Sequence, residues 1–173
     1  MNSVFISYFP KTRKQAEALA WELERLGVST WLPGRQVSVE AALESQMLDA
    51  MKEARVVVFL VGPQISASDW VQREYRAALE RFWLDEDKVL MPVLIGNADQ
   101  PAFLRHALSI KVDGRRSDWA RVAKEIAKIL NEGVPAKKNR AAIRAAIKEQ
   151  TDRLDLIEKQ AYALRASEVH KIV

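Results

Sequence analysis

The sequence contains no cysteine and only two histidines, His106 and His170, among its 173 residues. Without cysteine there is no disulfide framework, no thiolate nucleophile and no Cys-based zinc site. Two histidines so far apart argue against a His-based metal site and against a conventional catalytic triad. No apolar run reaches the roughly 18 residues that a membrane span requires. The N-terminus reads Met-Asn-Ser-Val-Phe-Ile-Ser-Tyr. It lacks a basic stretch followed by a long apolar core, so no signal peptide is expected. The expectation is a cytoplasmic protein without a metal. No Gly-x-Gly-x-x-Gly follows a strand-like run, which argues against a Rossmann dinucleotide site.

What is present is ordinary in amount and uneven in placement. The apolar share is 49% and the charged share 29%, as in a globular protein. The length suits one domain plus an appendage and allows a core without staples. The net charge is +4. Residues 137–173 hold nine Lys/Arg and five Asp/Glu, which accounts for all of it. The basic residues there are interleaved with acids, so a solvated helix face is expected, and direct nucleic-acid binding is not.

In chain order, Val4–Tyr8 reads as a first strand, ended by Pro10. Ala16, Leu19, Ala20, Leu23 and Leu26 recur at helical spacing from Thr12 to Leu26, and Gly27 is a stop. Val28–Leu32 is a second strand, completing a parallel βαβ unit. Pro33-Gly34 opens a loop. A helix from about Val39 to Ala54 points Leu43, Met47, Ala50, Met51 and Ala54 inward. Val56–Val61 is apolar throughout, as in a central strand covered on both faces. After Gly62-Pro63 comes a helix reaching about Phe82, with Tyr75, Ala78 and Leu79 as core candidates.

Val89–Ile95 is a fourth strand, with a bulge or an edge position expected at Pro92. Phe103–Leu108 reads as one helical turn and Ile110–Asp113 as a short fifth strand. Ser117-Asp118 can cap a helix from Trp119 to Leu130, with Trp119, Val122, Ile126 and Ile129 as its apolar stripe. This alternation predicts an α/β fold, a flavodoxin-like five-stranded parallel sheet in the order 2-1-3-4-5 flanked by helices. The domain is expected to span residues 1–135, and residues 136–173 a helical extension for docking or oligomerisation. Lys137–Ile172 contains neither Gly nor Pro. Ile143, Ile147, Gln150, Leu154, Ile157, Ala161 and Leu164 step by fours and threes, a heptad-like pattern in one long helix. That helix either returns onto its own domain or pairs with another chain.

Ser68-Asp69-Trp70-Val71-Gln72-Arg73-Glu74 follows the most apolar run. Trp70 and Glu74 lie one helical turn apart on one face. A helix after a buried parallel strand starts at the carboxyl edge of the sheet, where such folds hold ligands. The plain alternative is an aromatic core anchor beside a solvated glutamate. A phosphoacceptor receiver is disfavoured. It needs an acidic cluster after strand one and an Asp at the end of strand three, where this chain has Tyr8-Phe9-Pro10 and Val61-Gly62.

Four stretches carry a resemblance. They are Val4-Phe5-Ile6-Ser7-Tyr8, Gly27-Val28-Ser29-Thr30-Trp31-Leu32, Val56-Val57-Val58-Phe59-Leu60-Val61, and Ser68-Asp69-Trp70 with Glu74. In this order the chain resembles the TIR (Toll/interleukin-1 receptor) family, particularly its bacterial members, over roughly residues 2–132. The resemblance implies the flavodoxin-like sheet. It also implies one of two roles, a non-catalytic TIR–TIR signalling module or a hydrolase of NAD⁺ active on self-assembly, as in bacterial defence or virulence. Glu74 matches the family's catalytic glutamate. Ser7, Tyr8 and Phe9 match one wall of its substrate cleft, and Arg35, Ser68 and Trp70 match further substrate-binding positions. NAD⁺ would be the substrate, with no cofactor. No sensor domain is visible, so an activating partner protein is expected. Phe9-Pro10-Lys11-Thr12, Pro33, Glu40 and Gly62 depart from the family pattern and bear on the shape of the cleft.

Overall fold

The computed structural model describes residues 3–34, 40–63, 88–101, 104–105 and 107–132, and, further on, 145, 148–149, 152–153, 156–157, 159–160 and 162–163. The strands are β1 (Ser3–Ser7), β2 (Ser29–Trp31), β3 (Val56–Val61), β4 (Val89–Ile95) and β5 (Ile110–Val112). The helices are α1 (Arg13–Arg25), α2 (Glu40–Glu53) and α3 (Arg116–Glu132). All strand pairs are parallel, in the order β2-β1-β3-β4-β5. This is the flavodoxin-like sheet the alternation predicts. Helical residues between 145 and 163 extend beyond it.

Side chains alternate across the sheet and build two cores. Val4 and Ile6 of β1 point to the side of α1 and α3, where Leu19, Leu23, Trp119, Val122 and Ile126 pack. Phe5 points to the side of α2, with Met47, Met51, Phe59 and Leu90. Every residue of β3 and β4 is buried, so Val56–Val61 is covered on both faces as its composition predicts, and Val89–Ile95 is buried as well. Arg55 ties the layers together by donating from Nη1 to the carbonyl of Leu130 at 2.9 Å.

The end of α1 shows why Gly27 stops the helix. Gly27 has φ +76°. Its N–H donates to the Glu24 carbonyl at 3.0 Å, and that of Val28 to the Leu23 carbonyl at 3.1 Å. These two bonds form a Schellman motif, with Val28 and Leu23 in one core. Leu26 departs from the expected inward stripe. It caps the helix and is 47% exposed.

Of the two alternatives at Pro92 the bulge falls away, and the start of the last helix is corrected. The β3–β4 register runs unbroken from Val56↔Val89 to Val61↔Leu94, so Pro92 makes no bulge. Pairing with β5 begins only at Val93, which leaves that side of β4 open at Pro92. The last helix starts at Arg116 rather than after Asp118. Asp118 lies in its first turn and reaches backward. Oδ2 accepts the N–H groups of Asp113, Gly114 and Arg115 at 3.1, 3.0 and 2.9 Å.

Slight burial pushes the Asp118 carboxyl up, but those backbone donors and Arg121 outweigh it and hold it below 3.8. The unfolded chain binds this proton more readily. The resulting stability is therefore present above pH 3.8 and lost as pH falls through the lower folded value. Asp118→Ala is expected to destabilise the domain by about 1–2 kcal/mol, as a urea midpoint at neutral pH would show, and to remove that acid-limb dependence.

Candidate functional site

The crossover direction reverses between β1 and β3, because β2 lies on one side of β1 and β3, β4 and β5 on the other. Such a topological switch point opens a crevice at the carboxyl ends of the two strands. Ser7 at the end of β1 pairs with Phe59 of β3. Tyr8 and Phe9 follow it. Gly62 and Pro63 follow β3, and from there the chain leaves toward Ser68, Trp70 and Glu74. Those three residues and Arg35 lie outside the described residues. The structure therefore sets Ser7, Tyr8 and Phe9 at the switch point.

The three have different surroundings. Ser7 is 1% exposed, and its buried hydroxyl has no hydrogen-bond partner among the described residues. By strand alternation it shares the α2 face with Phe5. Phe9 is partly buried against the same α2-side core. Its backbone is fixed by Thr12, whose N–H donates to the Phe9 carbonyl at 2.8 Å and whose Oγ1 accepts the Phe9 N–H at 3.2 Å. Pro10 starts the 3-10 turn that makes this closure. The Phe-Pro-Lys-Thr departure thus builds a rigid corner.

Tyr8 turns the other way, packing against the α1-side core. Its hydroxyl donates to the Pro33 carbonyl at 2.5 Å, 25 residues away. Gly34 follows with φ +79°, and a Cβ there would lie 4.0 Å from the Tyr8 hydroxyl. Tyr8 thereby clasps the loop after β2 to the end of β1. Sequence reasoning missed this clasp. The only hint was a tyrosine at a strand end and Pro-Gly at its neighbour's.

Burial raises the Tyr8 pKa above 10.0, with Arg13 opposing and Glu17 adding to the rise. The folded chain holds this proton longer than the unfolded one. Its contribution is full below pH 10.0 and is lost as pH climbs through the folded value. Tyr8→Phe is expected to cost about 1 kcal/mol in urea unfolding at neutral pH. It should also flatten the alkaline loss of stability.

The edge strand β2 is held by an aromatic stack. Trp31 lies on Phe5 with ring centroids 5.0 Å apart and an interplanar angle of 12°. Among the described residues no group of three or more His, Asp or Glu could hold a metal ion, and no helix is long and apolar enough to cross a membrane.

A doubly wound parallel sheet with its crevice at the β1/β3 switch defines a flavodoxin-like α/β domain. A model of the TIR domain family matches residues 4–130, and the chain belongs to that family. Among solved structures it is similar to the TIR domain of the Toll-related receptor TRR-2 from Hydra magnipapillata, with a TM-score of 0.52 and 20% identity over 72% of this chain and 97% of that one. At this identity the likeness is one of fold. Also matched are the TIR domains of the activated Roq1 resistosome, which directly recognises the pathogen effector XopQ (TM-score 0.48, 17% identity, 86% of this chain and 84% of that one). A third is the CMP N-glycosidase BcmB from Clostridium botulinum (TM-score 0.49, 14% identity, 72% of this chain and 98% of that one). No curated protein matches the chain.

Proposed function

We propose that this TIR protein is an NAD⁺ glycohydrolase that cleaves the nicotinamide–ribose bond and acts when chains assemble. The observation that supports this most is the position of Ser7, Tyr8 and Phe9 at the end of β1, beside the switch point of the sheet. They lie on the β1 side of the crevice, and the chain carrying Trp70 and Glu74 leaves from the β3 side.

The reaction suits a site with a single carboxylate. As the C–N bond lengthens, nicotinamide takes the bonding pair and leaves neutral, because its ring nitrogen began positively charged. No strong general acid is needed. Positive charge builds on the ribose, and the Glu74 carboxylate binds the ribose hydroxyls and stabilises that charge. Water then adds to the anomeric carbon and loses a proton, giving ADP-ribose. Attack by an adenine nitrogen gives the cyclic form instead. Phe9 and Trp70 offer flat walls, Ser7 and Ser68 hydroxyl donors, and Arg35 a charge for a phosphate. NAD⁺ is substrate only and no cofactor takes part. The setting in this reading is the bacterial cytoplasm, in defence or virulence, with an activating partner protein. Residues 136–173 serve docking or oligomerisation.

The second reading is a non-catalytic TIR–TIR signalling module. It is favoured by Trp21 of α1, which lies 48% exposed beneath Arg25 at 4.7 Å. Incubating concentrated protein with NAD⁺ and following nicotinamide separates the two. Nicotinamide release supports the enzyme. Its absence even under crowding leaves the module.

A further inference from the structure

We propose that the C-terminal helix pairs with the same helix of a second copy of the chain, parallel and in register, so that Ile157 meets its own counterpart. This deepens the assembly part of the reading above. It is separable from the chemistry, because chain pairing is measured without NAD⁺.

Residues 145, 148–149, 152–153, 156–157, 159–160 and 162–163 are helical, and those whose side chains are described are exposed. Among them is Ile157 at 51%, the seam residue among those described, while Leu156 at 56% and Tyr162 at 78% lie beside the seam at c and b. A lone helix of this length is marginal in water, and large apolar groups left open on it are a surface to be covered. Among the described residues, Arg105 of the domain and Glu149 of the helix lie 3.5 Å apart, both exposed. A pair of that kind contributes little.

The heptad decides what covers it. Ile147, Leu154 and Ala161 fall at a, and Ile143, Gln150, Ile157 and Leu164 at d. Glu149 falls at c, outside the a/d seam. Two features of the sequence then select one orientation. In a parallel pair each g position faces the e position five residues further along the other chain. Arg153 is at g and Glu158 at e, so an opposite-charge pair forms twice by symmetry. The parallel pair also sets Gln150 against its own copy, where two amides bond each other across the seam. An antiparallel pair that keeps the whole apolar stretch aligns Leu154 with Ile157 of the other chain. It brings Arg144 opposite Arg165 twice and sets Gln150 against Ala161, which offers its amide no partner.

The orientation matters for function. A parallel pair holds both TIR domains at the same end of the helices and raises their concentration toward each other. An antiparallel pair would set them at opposite ends of about 33 Å of helix.

The absence of cysteine makes the test clean. Ile157→Cys in the full chain introduces a single thiol at a half-exposed position, so the fold is not at risk. Mild oxidation is expected to convert the protein to a covalent dimer on a non-reducing gel. Cross-linking only in a mixture of Leu154→Cys and Ile157→Cys chains would overturn the parallel orientation. No cross-link in either sample, with a light-scattering mass of one chain, would overturn the pairing. Ile157→Lys should reduce the wild-type mass without moving the melting temperature, and an unchanged mass would also overturn it. Arg153→Glu should weaken association about tenfold, as two attractions become repulsions. Adding Glu158→Arg to that variant should restore it.

Discussion

Replacing Glu74 with glutamine is expected to lower nicotinamide release about 100-fold or more while leaving the fold intact. Glutamine keeps the size and most hydrogen bonds of the side chain. It loses the charge, and the charge is what the reaction needs as the ribose turns cationic. The loss should fall on kcat more than on KM, since the missing interaction is strongest in the transition state. Glu74→Ala should lose at least as much. Thermal melts of both variants should match the parent, because a residue serving chemistry contributes little to the core. If either variant turned NAD⁺ over at the parental rate, another group would be carrying the charge.

Phe5→Ala is expected to destabilise the domain by about 3–5 kcal/mol, a large share of a typical folding free energy. Phe5 is fully buried in β1 and fills the α2-side core. Its removal leaves a cavity beside Met51, Val57 and Phe59 and also takes away the stack on Trp31. The second loss is local. β2 is a three-residue edge strand, and Trp31 against Phe5 helps hold it to β1. At roughly 2–4 °C per kcal/mol for a chain of this size, the melting midpoint should fall by about 6–20 °C. Phe5→Leu preserves most of the volume and should cost under about 1.5 kcal/mol. A double cycle with Trp31→Ala would isolate the stacking, expected near 1 kcal/mol.

The sheet was legible because its signals are local. Val56–Val61 is apolar throughout, as a strand covered on both faces must be, and Gly27 marks a helix end that its φ of +76° requires. The alternation of strand and helix then left few topologies, and the observed strand order is the one it favoured. What escaped the sequence depends on contacts between distant residues. Nothing near Tyr8 announces that its hydroxyl reaches Pro33. Asp118 reads as a cap for the helix after it, yet it closes the loop before it. Leu26 fits the periodicity of α1 but falls where the Schellman turn has already bent the chain away. For the site, the sequence named Ser7, Tyr8 and Phe9 as one group. The structure separates them into a buried hydroxyl, a loop clasp and an apolar corner. The roles of Arg35, Ser68, Trp70 and Glu74 rest on the sequence and on the reaction proposed for them.

The most direct measurement is proton NMR of NAD⁺ incubated with the purified full chain over a range of protein concentrations. Free nicotinamide resonances should grow as those of NAD⁺ decline, with a rate per chain that rises as the protein is concentrated and assembly advances. NAD⁺ left intact at every concentration, by chains that demonstrably associate, would contradict the glycohydrolase reading.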